Sequence, residues 1–91
     1  MKKYASIVVK GLVQGVGYRY FCINLARELN ATGYTRNMPN GNVEVEVEID
    51  ESNFDRFVSQ LKRGPFSAKV TEIKIEEKSY EGIYDSFEVK Y

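Results

Sequence analysis

The stretch "GYTRNMPNGNVEVEVEID", Gly33 to Asp50, decides the fold. In its second half Val43, Val45, Val47 and Ile49 alternate strictly with Glu44, Glu46 and Glu48. That is the period of a strand with one apolar face on a core and one charged face toward water. Pro39-Asn40-Gly41 ahead of it supplies a turn, because proline presets one dihedral while asparagine and glycine tolerate the left-handed conformations a hairpin needs. The residues before the turn therefore form a short strand antiparallel to Val43–Ile49, and Glu44, Glu46 and Glu48 are expected on the exposed face.

On either side lies a helical pattern that can cover the apolar face. Upstream, Phe21, Cys22, Leu25, Ala26 and Leu29 share one helical face with Asn24, Arg27, Glu28 and Asn30 opposite, and Gly33 is the expected stop. Ahead of that helix the aliphatic run Tyr4 to Lys10 reads as a central strand. Downstream, Ser52 is the expected cap of a second helix in which Phe54, Phe57, Val58 and Leu61 fall at i, i+3, i+4 and i+7, and Gly64-Pro65 ends it. Val70, Ile73 and Ile75 mark a fourth strand, and Phe87, Val89 and Tyr91 a short terminal one. The order β-α-β-β-α-β predicts an α+β fold, a ferredoxin-like sandwich with two helices on one face of an antiparallel sheet, plus the C-terminal strand. Residues 1–91 are read as a single domain.

Composition narrows the chemistry. Thirteen Lys and Arg balance thirteen Asp and Glu, so no global field draws the chain to nucleic acid or acidic lipid, and an anion site must be local. No stretch is long enough and apolar enough to span a membrane, and the N-terminus reads as a strand rather than a signal peptide. Cys22 is the only cysteine, which excludes an intramolecular disulfide and a cysteine zinc cluster and points to a reducing cytoplasm. Histidine is absent, which removes the commonest general base and metal ligand together.

The segment "VQGVGYRYF", Val13 to Phe21, links the first strand to the first helix. A glycine loop entering a helix N-terminus presents unpaired backbone N–H groups at the positive end of the helix dipole. Gly15 and Gly17 relax the steric limits so that the amides of Gly15, Val16, Gly17, Tyr18 and Arg19 can turn inward as a nest, and Arg19 adds a planar fork for two phosphoryl oxygens. A bland alternative stands beside this: a tight turn whose Arg19 pairs with a surface acid. The segment lacks the Gly-Lys-Ser/Thr of a Walker loop, and Tyr20 stands where the dinucleotide fingerprint needs its third glycine. Cys22 lies three residues after Arg19 on the apolar face, the position of a core residue rather than a nucleophile. Tyr18, Tyr20 and Phe21 are likewise read as core rather than as pocket wall.

"VKGLVQGVGYR" together with "GYTRNMPNGNVEVE" resembles the acylphosphatase family, whose signatures are a Gln-Gly-Val loop ending in an aromatic residue and arginine, and a Gly-aromatic stretch ending in Arg-Asn before a Gly-x-Val hairpin. "LKRGPFSAKVTEIKIEE" and "SFEVKY" extend the similarity over essentially the whole chain. Thr35 and Ile49 depart from the pattern, where a small apolar residue and a glycine are usual. The resemblance implies that Arg19 is the phosphate-binding catalytic arginine and that Asn37 orients the attacking water. On the residues alone Asn37 could equally stabilise the turn.

The loop from Val13 to Arg19 holds no Ser, Thr, Cys, His or acid, so neither a covalent phospho-enzyme nor a general acid for the leaving group is expected there. Water must attack directly, which restricts the substrate to a phosphate with a good leaving group. An acyl phosphate, whose carboxylate leaves without a proton, fits. No cofactor and no metal are expected. The expected partners are a small acyl phosphate and inorganic phosphate, with no nucleic acid and no membrane, and the chain is expected to be monomeric. The same strand order occurs in RNA-recognition domains, but the row of glutamates would repel phosphates. A carrier module like the N-terminal part of larger carbamoyl-transfer proteins is the other alternative. The absence of further domains after Tyr91 favours a free enzyme.

Overall fold

In a computed structural model describing residues 1–91, the hairpin is the centre of a five-stranded sheet. The elements are β1 (Lys2–Leu12), α1 (Tyr18–Glu28), β2 (Thr32–Asn37), β3 (Val43–Asp50), α2 (Glu51–Arg63), β4 (Lys69–Lys78) and β5 (Phe87–Lys90), in the sheet order β4-β1-β3-β2-β5. All neighbours are antiparallel except β5, which runs parallel to β2. This is the ferredoxin-like arrangement with a terminal strand added at the β2 edge.

Register follows from the period of two. Ala5, Ile7 and Val9 of β1 stand opposite Val47, Val45 and Val43 of β3, so both strands turn their aliphatic residues to the same side. Both helices cover that side with Cys22, Leu25 and Ala26 from α1 and Phe54, Phe57, Val58 and Leu61 from α2. Most of these side chains are fully buried. Each buried aliphatic or aromatic side chain contributes roughly 1.5–3 kcal/mol relative to exposure. That is far more than the helix propensity of two short helices can supply, so packing is what holds α1 and α2.

Two local expectations are corrected. α1 starts at Tyr18 and ends at Glu28, with Leu29 as its C-cap and Asn30 in the left-handed region at φ 55°, so the chain turns before Gly33. Gly33 lies inside β2 at φ 139°, where a Cβ would stand 1.8 Å from the Glu46 carbonyl oxygen. It is therefore glycine for close strand approach and not for helix termination. At α2 the cap is Asp50, whose carboxylate accepts the Ser52 N–H at 3.0 Å and the Ser52 hydroxyl. Ser52 lies too late in the chain to cap, because the third strand runs directly into the helix.

The outer face of β3 differs most from expectation. Glu44 is half-buried, while Glu46 and Glu48 are only 5% and 2% exposed. The segment between β4 and β5 crosses this face: Glu48 accepts the backbone N–H groups of Gly82 (2.9 Å), Ile83 (3.4 Å) and Tyr84 (3.3 Å). Glu46 accepts the Tyr4 hydroxyl at 2.7 Å and the Ser6 hydroxyl, and Tyr84 packs edge-on against the Tyr4 and Tyr34 rings. The hydrogen bond to Glu46, and then burial, raise the Tyr4 hydroxyl's pKa. A buried carboxylate without partners would cost several kcal/mol. These amide and hydroxyl donors offset that cost. A two-residue period identifies faces, but a polar segment covering one of them through its backbone leaves no periodic trace.

Candidate active site

At the end of β1 the pairing with β4 shifts register at Lys10/Gly11, and after Leu12 the chain leaves the sheet as the loop Val13–Gly17. Buried Val13 anchors it. Gly15 and Gly17 sit at φ 74° and 79°, with open space where a Cβ would stand, so it is the left-handed dihedral and not crowding that demands glycine. Gly17 is the N-cap of α1, no side chain caps the helix, and no acid lies in its first turn. The first ladder bond runs from Phe21 N–H to the Gly17 carbonyl at 3.0 Å, which leaves the N–H groups of Tyr18, Arg19 and Tyr20 ahead of the ladder. The start of α1 is thus a concentration of positive partial charge.

Two side chains fix the loop, and one of them was not singled out by the sequence. Tyr18 is buried and donates its hydroxyl to the Leu61 carbonyl of α2 at 2.6 Å, so its ring belongs to the core and only its backbone serves the loop. Burial raises its hydroxyl pKa, with a further push from Cys22. Gln14 Nε2 donates to the carbonyls of Met38 (2.8 Å) and Asn42 (2.9 Å), tying the loop to the β2–β3 turn. Gln14 belongs to the Gln-Gly-Val signature, but its role as a tether leaves no local signal, because its partners are 24 and 28 residues away.

That tie places Asn37 at the loop. Gly33, Thr35 and Asn37 lie opposite Val47, Val45 and Val43, so Asn37 is the last β2 residue on the helix-covered side. A cleft of about 230 Å³ is lined by Gly15, Gly17, Tyr18, Arg19 and Asn37, with Tyr20, Ile23, Val89 and Tyr91 among its apolar neighbours. The side chain of Val16 packs against the core instead of lining the cleft. Arg19 forms no ion pair with any carboxylate side chain, which excludes the surface-pair alternative, and its guanidinium lies over the Tyr91 ring at 5.1 Å. Asn37 Oδ1 is buried and accepts no hydrogen bond from the protein.

Other groups stand outside. Cys22 faces the core, and burial pushes its thiol up to about 12 against an opposing effect of the Thr35 hydroxyl. Thr35 is fully buried beside it, in a geometry short of a hydrogen bond, and Ile49 is fully buried on the core face of β3. Both departures from the family pattern are therefore core positions. Tyr20 is 70% exposed and lines the cleft, so it is not the core residue expected, whereas Tyr18 is. No Asp, Glu, His or Cys side chain lines the cleft.

A loop of free amides beside an arginine without a carboxylate partner suits an anion. The family model described as Acylphosphatase matches residues 5–89. An acylphosphatase of Thermotoga petrophila is 43% identical over 89 residues, covering 98% of either chain. The crystal structure of acylphosphatase from Bacillus subtilis superposes with a TM-score of 0.93 at 35% identity, covering all of both chains. Full-length HypF in its phosphate- and nucleotide-bound form is similar over all of this chain but only 12% of its own, at 29% identity and a TM-score of 0.90. No helix here is long and apolar enough to cross a membrane. With fold, loop, hairpin and full-length relatives in agreement, the chain belongs to the acylphosphatase family, hydrolases of the acid-anhydride bond in phosphorus compounds.

Proposed function

We propose that this chain hydrolyses the carboxyl-phosphate bond of acyl phosphates by direct attack of water. The phosphoryl group sits on the backbone N–H groups of the Gly15–Arg19 loop and on the Arg19 guanidinium, and Asn37 Oδ1 accepts a hydrogen bond from the water and aims it. The water oxygen bonds to phosphorus as the phosphorus–acyl oxygen bond breaks. The carboxylate leaves unprotonated, and the proton of the water passes to a phosphoryl oxygen of the substrate. Phosphoryl transfer depends mainly on positioning and charge stabilisation, which amides and a guanidinium supply without a base or a covalent intermediate. The observation that carries this reading is the pair of unengaged groups in one cleft: an arginine without a carboxylate partner and a buried asparagine oxygen without a donor. In this reading residues 1–91 act as one acylphosphatase-like domain, a monomer working on free acyl phosphate in the cytoplasm.

The test is turnover of acetyl or benzoyl phosphate with and without EDTA, in the parent and in Arg19→Ala. The parent should work equally in chelator, and Arg19→Ala should lose roughly 10³-fold or more in rate, as removal of a phosphate-clamping arginine does elsewhere. It should also weaken inhibition by inorganic phosphate. Activity lost to EDTA and restored by magnesium would refute the mechanism. A parent that bound phosphate yet turned over no acyl phosphate would be a binding module.

A further inference from the structure

The strap between β4 and β5 is held by an unusual clamp. Glu48 is 2% exposed and forms no ion pair, and its hydrogen bonds come from the consecutive backbone N–H groups of Gly82, Ile83 and Tyr84. Gly82 takes φ 68°, the left-handed conformation that lets successive amides converge on one anion. The strap is otherwise lightly attached: Glu81, Gly82, Ile83, Asp85 and Ser86 are exposed, and Tyr84 alone packs, against Tyr4 and Tyr34.

Beyond the clamp the chain builds the wall of the cleft. The Ser86 carbonyl accepts the Gly33 N–H at 2.9 Å, Phe87 enters the core, and β5 runs four residues along β2 to Val89 and Tyr91, which line the cleft beside Arg19. β5 is an edge strand with a single buried side chain, and beyond its pairing with β2 it is held by Lys90 over the Tyr34 ring at 4.2 Å, by Arg19 over Tyr91 at 5.1 Å and by the strap that leads into it. We propose that Glu48 is a positioning residue for the active site: by clamping the strap it sets where β5 lies, and with it the Val89–Tyr91 wall against which the acyl end of the substrate rests. The acyl-side readout rests on the function proposed above, whereas the clamp itself does not.

Glu48→Gln tests this, because the amide keeps one acceptor but turns an NH₂ toward a backbone N–H that the carboxylate accepted. Gly82→Ala tests it from the strap without touching the sheet, since alanine resists φ 68°. Amide-resolved hydrogen exchange should accelerate roughly tenfold or more at Ile83, Tyr84 and Phe87–Lys90, while β1 and β3 keep parental rates. In the same variants KM for benzoyl phosphate should rise about three- to tenfold, with kcat changed less, at a temperature where circular dichroism shows the parental fold. Parental exchange in the strap and β5 in both variants would overturn the clamp. Exchange accelerated equally in β1 and β3, or local acceleration with parental KM, would reduce Glu48 to a general stabilising residue. If the parent hydrolysed no acyl phosphate, the proposed function would fall while the exchange experiment still judged the clamp.

Discussion

Asn37 and Thr35 are two residues apart on the same side of β2, and their surroundings give them different work. Thr35 is sealed under α1 beside Cys22, whereas Asn37 stands at the strand end where α1 begins and lines the cleft. An amide offers both donor and acceptor but cannot deprotonate water, so its contribution is to geometry. Asn37→Ala should lower turnover by about 10²- to 10³-fold, the usual effect of removing one well-placed polar contact to a transition state. Inhibition by inorganic phosphate should stay near the parental value, because the loop and Arg19 remain. Steady-state rates and phosphate inhibition measured side by side check this, and parental turnover would leave Asn37 as a turn residue.

Among the elements, α2 shows how a strand can hand over to a helix without a linker. Asp50 ends β3 and caps α2 in one residue, and its carboxylate is held at about 2 by the Ser52 hydroxyl and the Ser52 backbone N–H, against an opposing desolvation and with a smaller pull from the nearby N-terminus. A carboxyl whose folded pKa lies below its unfolded value stabilises the fold fully above the unfolded pKa and loses that contribution as pH falls through the folded one. For Asp50 the window runs from about 3.8 down to about 2. Asp50→Asn should therefore melt below the parent at pH 7, and the gap in Tm should close between those values. The group is exposed, so salt should narrow the gap as well. Melting curves from pH 7 to pH 2 check it, and a gap unchanged at pH 2 would assign the effect to something other than charge.

For the whole molecule, the informative reporter is Cys22. It lies on the inner face of α1 against the sheet, fully buried, with its thiol pushed up to about 12 by burial. Only a thiolate reacts readily with an alkylating agent, so exposure of Cys22 requires α1 to leave the sheet. The core is one cluster joining both helices to β1, β3 and β5, which ties that event to unfolding of the chain as a unit. Iodoacetamide labelling at pH 8 should therefore be negligible in native buffer and rise with urea in step with the loss of circular dichroism. Labelling well ahead of that transition would show that α1 opens locally.

Much of this was decided by the sequence, and the reason is range. The Val-Glu alternation, the Pro-Asn-Gly turn and the spacing of Phe54, Phe57, Val58 and Leu61 are set by contacts a few residues apart, and so they name strand, turn and helix directly. The glycine loop and Arg19 were legible for the same reason, since a helix N-terminus and its preceding loop are contiguous. Tertiary structure decided what those elements meet. Gln14 reaches Met38 and Asn42 to bring Asn37 to the loop, Gly33 exists for the Glu46 carbonyl across the sheet, and β5 with the residue after it supplies Val89 and Tyr91 to the cleft from the far end of the chain. Glu46 and Glu48 mark the limit most clearly. Alternation assigns them to the face away from the helices, but only the folded chain brings the Gly82–Tyr84 amides across that face, because backbone donors look alike in every sequence.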